Sequence, residues 1–245
     1  MKEVKRHLAE RQKDFVSHPF FARLERNDRF ESEMGFAPGL TFWVFAFQDI
    51  LRLNETRVTD PALRKIARHH RAEDRGHEAW FLDDIAELDP SPRDIRWLFG
   101  RHHMHTRDAA YALVSEVFRT NDDRVRIALV LTLESAGHVF FERIAAYVQR
   151  HGADERLRYF SSNHLEVEKD HALFEAELMK ALEVDLPEEV RAESIAMVDR
   201  CYEAFHQLFT GLEERLVRRA SGTFSVPPAR VQPPPASKRG VGGDL

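Results

Sequence analysis

The stretch Leu131-Thr132-Leu133-Glu134-Ser135-Ala136-Gly137-His138-Val139-Phe140-Phe141 lies in the middle of residues 122–151, which contain no proline. Apolar residues there do not alternate with polar ones for long enough to make a strand, so the segment reads as one long, largely apolar helix. Its single carboxylate, Glu134, would cost several kcal/mol in an apolar run unless a cation pairs with it. An arginine such as Arg126 or Arg143 is one such cation, and a metal ion is another. His138 follows one turn later and reads as a histidine satisfied in the core. Working outward, Gly and Pro are scarce between residues 40 and 220 and mark boundaries at Pro61, Pro90, Pro92, Gly152 and Pro187. This spacing predicts an all-α domain with helices over about 2–16, 19–29, 39–56, 60–87, 92–119, 122–151, 154–182 and 188–219. Start signals agree with several of them. Ser17-His18-Pro19 and Asp60-Pro61 put a capping residue before a proline at the first helical position, and Asp185-Leu186-Pro187-Glu188-Glu189 puts carboxylates at a helix N-terminus. The composition changes after Ala220 to Ser-Gly, Pro-Pro and Gly-Gly. We therefore expect a helical domain over 1–220 and a disordered Pro/Gly-rich tail over 221–245.

Composition bounds the function. The chain has 245 residues, 43% hydrophobic and 31% charged, with a formal net charge of −5, enough to bury a sizeable core. Lys and Arg are mixed among Asp and Glu without a basic stripe, which argues against nucleic acid as the main partner. The longest uninterrupted apolar run, Phe42 to Phe47, is far short of the ~20 residues of a membrane span, and no apolar run behind Met1 suggests a signal peptide. The expectation is a cytoplasmic protein with no membrane partner. Cys201 is the only cysteine, so neither an internal disulfide nor a thiolate zinc site is available. A Gly-rich phosphate loop and a Gly-x-Ser-x-Gly elbow are both absent.

The 13 histidines are the unusual feature, because most of them cluster. Residues 69–77 read His69-His70-Arg71-Ala72-Glu73-Asp74-Arg75-Gly76-His77, and residues 164–171 read His164-Leu165-Glu166-Val167-Glu168-Lys169-Asp170-His171. Both contain His-x-x-x-acid-x-x-His. At ~100° per residue, positions i, i+4 and i+7 of one helix project within ~60° of one another. Imidazoles and carboxylates on facing bundle helices suit a pair of non-heme iron or manganese ions, whereas six or seven donors exceed what zinc needs. The plainer readings are a solvated face paired to Arg71 and Arg75, a surface ladder around Glu166, Lys169 and Asp170, and a Glu134–arginine pair. His102, His103 and His105 read as a solvated cap region from which one ring could reach a pocket. Trp43, Phe42, Phe45, Phe47, Phe140 and Phe141 read as core, and Cys201 as a buried inert thiol.

A helix with His-x-x-Glu-Asp-x-Gly-His, a later Glu in an apolar helix and a final His-x-x-x-acid-x-x-His resemble the iron-containing redox enzymes of the heme-oxygenase-like fold. These are relatives of the TenA thiaminases and PqqC oxidases, and the resemblance covers about residues 35 to 210. It implies a heme-oxygenase-like bundle of about seven or eight helices holding Fe(II), two per chain, and using O2 to oxidise a small organic substrate. Carried over, His77, Glu134, His164, Glu168 and His171 match the diiron ligand pattern. His70 stands where several members have glutamate, so Glu73 or Asp74 would supply the missing carboxylate. Glu168 replaces a more usual aspartate. The thiaminase cysteine has no counterpart, since Cys201 lies too late. His7 and His18 are available where the heme oxygenase branch needs an N-terminal histidine. Two alternatives stand beside this reading: a metal-free binding or scaffold protein of the same fold, and a cofactorless PqqC-like oxidase. A homodimer is compatible with all three.

Overall fold

The structure, a computed structural model, describes residues 1–91, 94–169 and 185–221, with residues 166–169 described by their backbone alone. Its described residues are helical and contain no strand. The helices are α1 (Lys2–Val16), α2 (Pro19–Arg26), α3 (Phe30–Glu33), α4 (Thr41–Arg57), α5 (Pro61–Glu73), α6 (His77–Leu88), α7 (Ile95–Leu98), α8 (Met104–Arg119), α9 (Asp123–Arg150), α10 (Ser162–Lys169) and α11 (Glu188–Ala220). Short 3-10 turns occupy Met34–Leu40 and Arg101–His103. Residues 222–245, the tail proper, lie outside the described residues.

The helix ends follow from local chemistry. His18 caps α2 by accepting the Phe20 N–H on Nδ1 at 3.1 Å, with Pro19 at the first helical position. Asp60 accepts from the N–H groups of Ala62 and Leu63 ahead of Pro61, and Asp122 caps α9 through the N–H of Arg124. Two expected helices are interrupted. The segment 60–87 breaks at Gly76, whose φ of 97° is left-handed and is tolerated because glycine has no Cβ. The segment 92–119 divides into α7, a 3-10 turn and α8, with Asp94 capping α7 through the Trp97 N–H. The helix expected over 154–182 starts only at Ser162, where Asp154 accepts from both the Ser162 N–H and its hydroxyl.

α11 is the axis of the bundle, packing on α8, α9 and α1, while α4 packs on α8 and α5. Its core is strongly aromatic. Phe15, Phe20, Phe21, Phe36, Phe140 and Phe209 form tilted or edge-to-face pairs with centroids 5.0–6.4 Å apart. Complete burial of each such ring is worth about 1.5–3 kcal/mol. Cys201 is buried, as expected, with its Sγ 3.5 Å from Met197 Sδ, and burial pushes its thiol well above the ordinary range. Residues Phe30–Arg57 are long and apolar enough to cross a membrane by length and composition. Here they are divided between α3, a 3-10 turn and α4, and half of the apolar window is buried inside the bundle.

Candidate metal centre

His70 lies in the last turn of α5, 2% exposed, and points at α9. Its Nε2 is 2.5 Å from Glu134 Oε1 and 3.2 Å from Asp74 Oδ2. Burial alone would drive the imidazole toward its neutral form. The Glu134 charge and the hydrogen bonds to Asp74 and Glu134 outweigh it, pushing the pKa up to about 10. Asp74 is partly buried, with 21% of its side chain exposed; burial pushes its carboxyl up, but the His70 and His77 imidazoles beside it hold it far below the usual range. His70 is therefore an imidazolium clamped between two carboxylates. It is the cation that Glu134 requires, since Arg126 is engaged by Asp123 and Arg143 by Glu25.

The array continues past the helix break. Asp74 Oδ1 lies 3.4 Å from Nδ1 of His77, the first residue of α6, and His77 is 5% exposed. That nitrogen is buried and makes no hydrogen bond of good geometry. The His77 ring is 4.4 Å from the ring of His164 and 4.6 Å from Trp80. His164, 1% exposed, stacks on Phe141 of α9 at 3.8 Å and 29°. Its Nδ1 lies 3.0 Å from the Tyr159 carbonyl oxygen, which can only accept. In the neutral ring this places the proton on Nδ1 and the lone pair on Nε2.

Asp84 holds the segment that presents this carbonyl. Buried at 2% exposure on α6, it accepts the N–H groups of Arg158, Tyr159 and Phe160 at 2.8–3.0 Å. Sequence reasoning misses it. The only signal is a second acid beside Asp83 in a helix that already carries Phe81, and its partners are backbone groups that any residue could supply.

The structure thus brings Glu134, His70, Asp74, His77 and His164 into one line. Donor atoms of His70, Asp74 and Glu134 lie within 4.8 Å of one another. Glu73 borders the same cavity but pairs with His69 at 2.8 Å, so Asp74 is the acid that joins the line. The Glu168 side chain and all of His171 lie outside the described residues. His138, expected in the core, is exposed, because Glu134 and not His138 takes the inward register of α9. His7 pairs with Asp199 at 2.7 Å and His18 caps α2, so both are occupied away from this line.

These residues form the polar wall of a cavity of about 900 Å³, counting the space at its mouth. Its other walls are apolar, built from Trp43, Phe47, Phe140, Phe141, Phe205 and Phe209 among others. Four of the aromatics read as core therefore line a cavity, and they do so because α4 and α9 face each other across it. Phe42 instead meets Phe99 and Tyr111, and Phe45 is 43% exposed. Glu134 is 41% exposed at its side chain and faces this cavity, so its charge is half solvated as well as paired.

Nitrogen and oxygen donors in this mixture suit Fe(II) or Mn(II). Two features fit a metal: the buried His77 nitrogen without a good hydrogen bond, and the His164 tautomer, set by the Tyr159 carbonyl, that puts a lone pair and not a proton on Nε2. One feature has to change, because His70 must lose its proton before it can ligate. No protein-family model and no curated protein matches this sequence.

Proposed function

We propose that the chain is a non-heme iron oxidoreductase, of the diiron or iron–manganese kind, that uses O2 to oxidise a small organic substrate in the aromatic cavity. The reading is carried by the convergence of three buried imidazoles and two carboxylates on the polar wall of an otherwise apolar cavity. His70, Asp74, Glu134, His77 and His164 would hold the metal, with Glu168 and His171 completing the set by their spacing in the sequence. Bound iron would supply one-electron redox chemistry and O2 activation.

The chain's own residues do the rest. The Tyr159 carbonyl orients the His164 ring, and Asp84 keeps that carbonyl in place. The His70 proton lies between Glu134 and Asp74 and balances their charge, and His70 would have to give it up to ligate a cation. Aromatic walls exclude water and favour an apolar substrate body.

Anaerobic Fe(II) titration of the wild type against His77→Ala and His171→Ala tests the proposal. It predicts saturable iron binding with proton release in the wild type and weaker binding in both variants. Wild-type iron binding no greater than in the variants overturns it. A second reading, a cofactor-free cavity that binds a ligand, is favoured by the 2.5 Å His70–Glu134 contact, which satisfies both charges without a metal. Under that reading an apolar ligand stabilises the protein equally with and without a chelator present.

A further inference from the structure

The outer face where α4 packs on α8 carries a strip of aromatic rings that takes no part in the cavity. Phe42, in the first turn of α4, meets Phe99 edge-to-face at 5.8 Å and Tyr111 of α8 at 5.7 Å. Phe45 follows one turn later on α4, and Phe118 lies two turns beyond Tyr111 on α8, so these rings share the face. Phe45, Phe99, Tyr111 and Phe118 are 43–53% exposed. Rings of roughly 200 Å² each, half uncovered, leave roughly 400 Å² of aromatic surface, the scale at which a patch marks an interaction site. The strip is also held in shape. Arg107 donates to the carbonyls of Leu98 and Gly100 at 2.8 and 3.1 Å and lays its guanidinium over Phe99 at 5.4 Å, while Arg57 lies over Phe118 at 5.1 Å. Rings fixed in this way lose little freedom when they are covered. From Phe99 through Tyr111 to Phe118 the strip runs roughly 20 Å, two ring contacts and two helical turns.

α11 delivers the following chain to the end of the bundle where this strip starts. Near that end the Arg215 guanidinium carbon lies 5.1 Å over Trp97, two residues before Phe99, and Arg219 donates to the Gly35 carbonyl at 3.0 Å just ahead of α4. At ~3.1 Å per residue, residues 222–245 can span roughly 75 Å, several times the length of the strip. Their sequence suits it. Pro227-Pro228-Ala229-Arg230-Val231-Gln232-Pro233-Pro234 favours a polyproline helix, in which three residues make a turn. Pro228, Val231 and Pro234 then share one edge, and Pro227, Arg230 and Pro233 the next, each edge running roughly 19 Å. Asp108, exposed one turn before Tyr111, offers Arg230 a counter-charge midway along the strip.

We infer that the α4–α8 aromatic strip is the docking surface for the chain's own proline-rich segment, residues 227–234, bound as a polyproline helix with Arg230 toward Asp108. Such segments dock on aromatic surfaces because they are extended beforehand and give up little entropy. The tether to α11 makes the event intramolecular, at an effective concentration in the millimolar range. A second copy of the chain would have to displace that tethered ligand to reach the same rings.

Tryptic cleavage of the full chain, followed by mass spectrometry, tests the assignment. The Arg230–Val231 bond lies inside the docked segment and the Arg239–Gly240 bond beyond it. A synthetic peptide of residues 222–245 gives the ratio of the two cleavage rates without docking. Relative to that peptide, cleavage at Arg230 in the full chain should be slowed by at least about tenfold, the ratio of a millimolar effective concentration to a dissociation constant of about 0.1 mM. Tyr111→Ser and Phe99→Ser should restore the peptide's ratio, with thermal midpoints establishing that both variants are folded. Pro234→Ser, measured against a peptide with the same change, should reduce the protection several-fold without touching the helical domain. A full-chain ratio equal to that of the peptide, or protection that survives these substitutions, overturns the assignment. Protection that grows with protein concentration overturns it in favour of a second copy.

Discussion

Acidification from about pH 7.5 to about pH 4.5 should destabilise this fold through one cap histidine. His18 is 4% exposed, with its Nδ1 accepting the Phe20 N–H and its Nε2 3.2 Å from Thr210 Oγ1. The rings of Phe15, Phe21, Phe209 and His206 surround it with centroids 5.3–6.3 Å away. Burial, and then the charge of His206, lower its pKa from 6.5 to about 4. Protonation would also remove the lone pair that caps α2. The unfolded chain therefore takes up a proton between roughly pH 6.5 and 4 that the folded chain refuses, so stability falls as pH falls through that window. For one group with these two pKa values the loss is about 1 kcal/mol at about pH 5.5 and 2–3 kcal/mol at about pH 4.5. His206, whose own pKa is lowered by burial and by Arg11, acts in the same direction. The measurement is urea unfolding of wild type and His18→Asn across this range, since asparagine keeps a capping acceptor without titrating. The stability difference between the two should move in favour of the variant by about 2 kcal/mol on acidification. Parallel stability curves, with a difference constant to within about 0.5 kcal/mol, would refute the reasoning.

Three other outcomes are expected. Asp84→Ala should lower unfolding free energy by about 2–4 kcal/mol, because two buried N–H groups and a half-buried one lose their acceptor, and should also weaken Fe(II) binding in the anaerobic titration by releasing the Tyr159 carbonyl from His164. Gly211→Ala should cost about 1–3 kcal/mol in denaturant unfolding, since the added methyl meets the His105 Cβ, which cannot swing away. Glu33→Ala should cost about 3–5 kcal/mol in the same assay, because Glu33 is 3% exposed and receives the Arg23 guanidinium through two hydrogen bonds, so that truncation strands a largely buried charge.

The long helices were legible because their signals are local. Apolar spacing and bounding residues place Lys2–Val16, Asp123–Arg150 and Glu188–Ala220 within one or two residues of their sequence-based limits. The breaks were not legible. Gly76 reads as an ordinary glycine within a helical pattern until its positive φ is seen, and the start of α10 depends on Asp154 reaching Ser162 across a turn. At the candidate centre, the pattern picks out His70, Asp74 and His77, because i, i+4 and i+7 survive the break as contacts between neighbours. It does not separate Asp74 from Glu73, since a difference of one residue is decided by which acid His69 engages. Trp43, Phe47, Phe140 and Phe141 do belong to or pack against the core, and that they also wall a cavity was not legible, for a physical reason. An aromatic ring has the same sequence signature whether another ring or an empty volume lies beyond it.

The break at Gly76 also has a mechanical side. α6 carries His77 at its first residue and Asp84 seven residues on, about 10 Å along the same face. Asp84 grips the segment that orients His164, while His77 touches the His164 ring directly. A shift of α6 therefore acts on His77 directly and on His164 through the Tyr159 carbonyl, while α9 holds the His164 ring from the other side through Phe141. His70 and Glu134 ride on α5 and α9 instead. The donor line is thus held by α5, α6, α9 and α10 together and joined at Asp74, so a relative shift of any of these helices changes a spacing between donors.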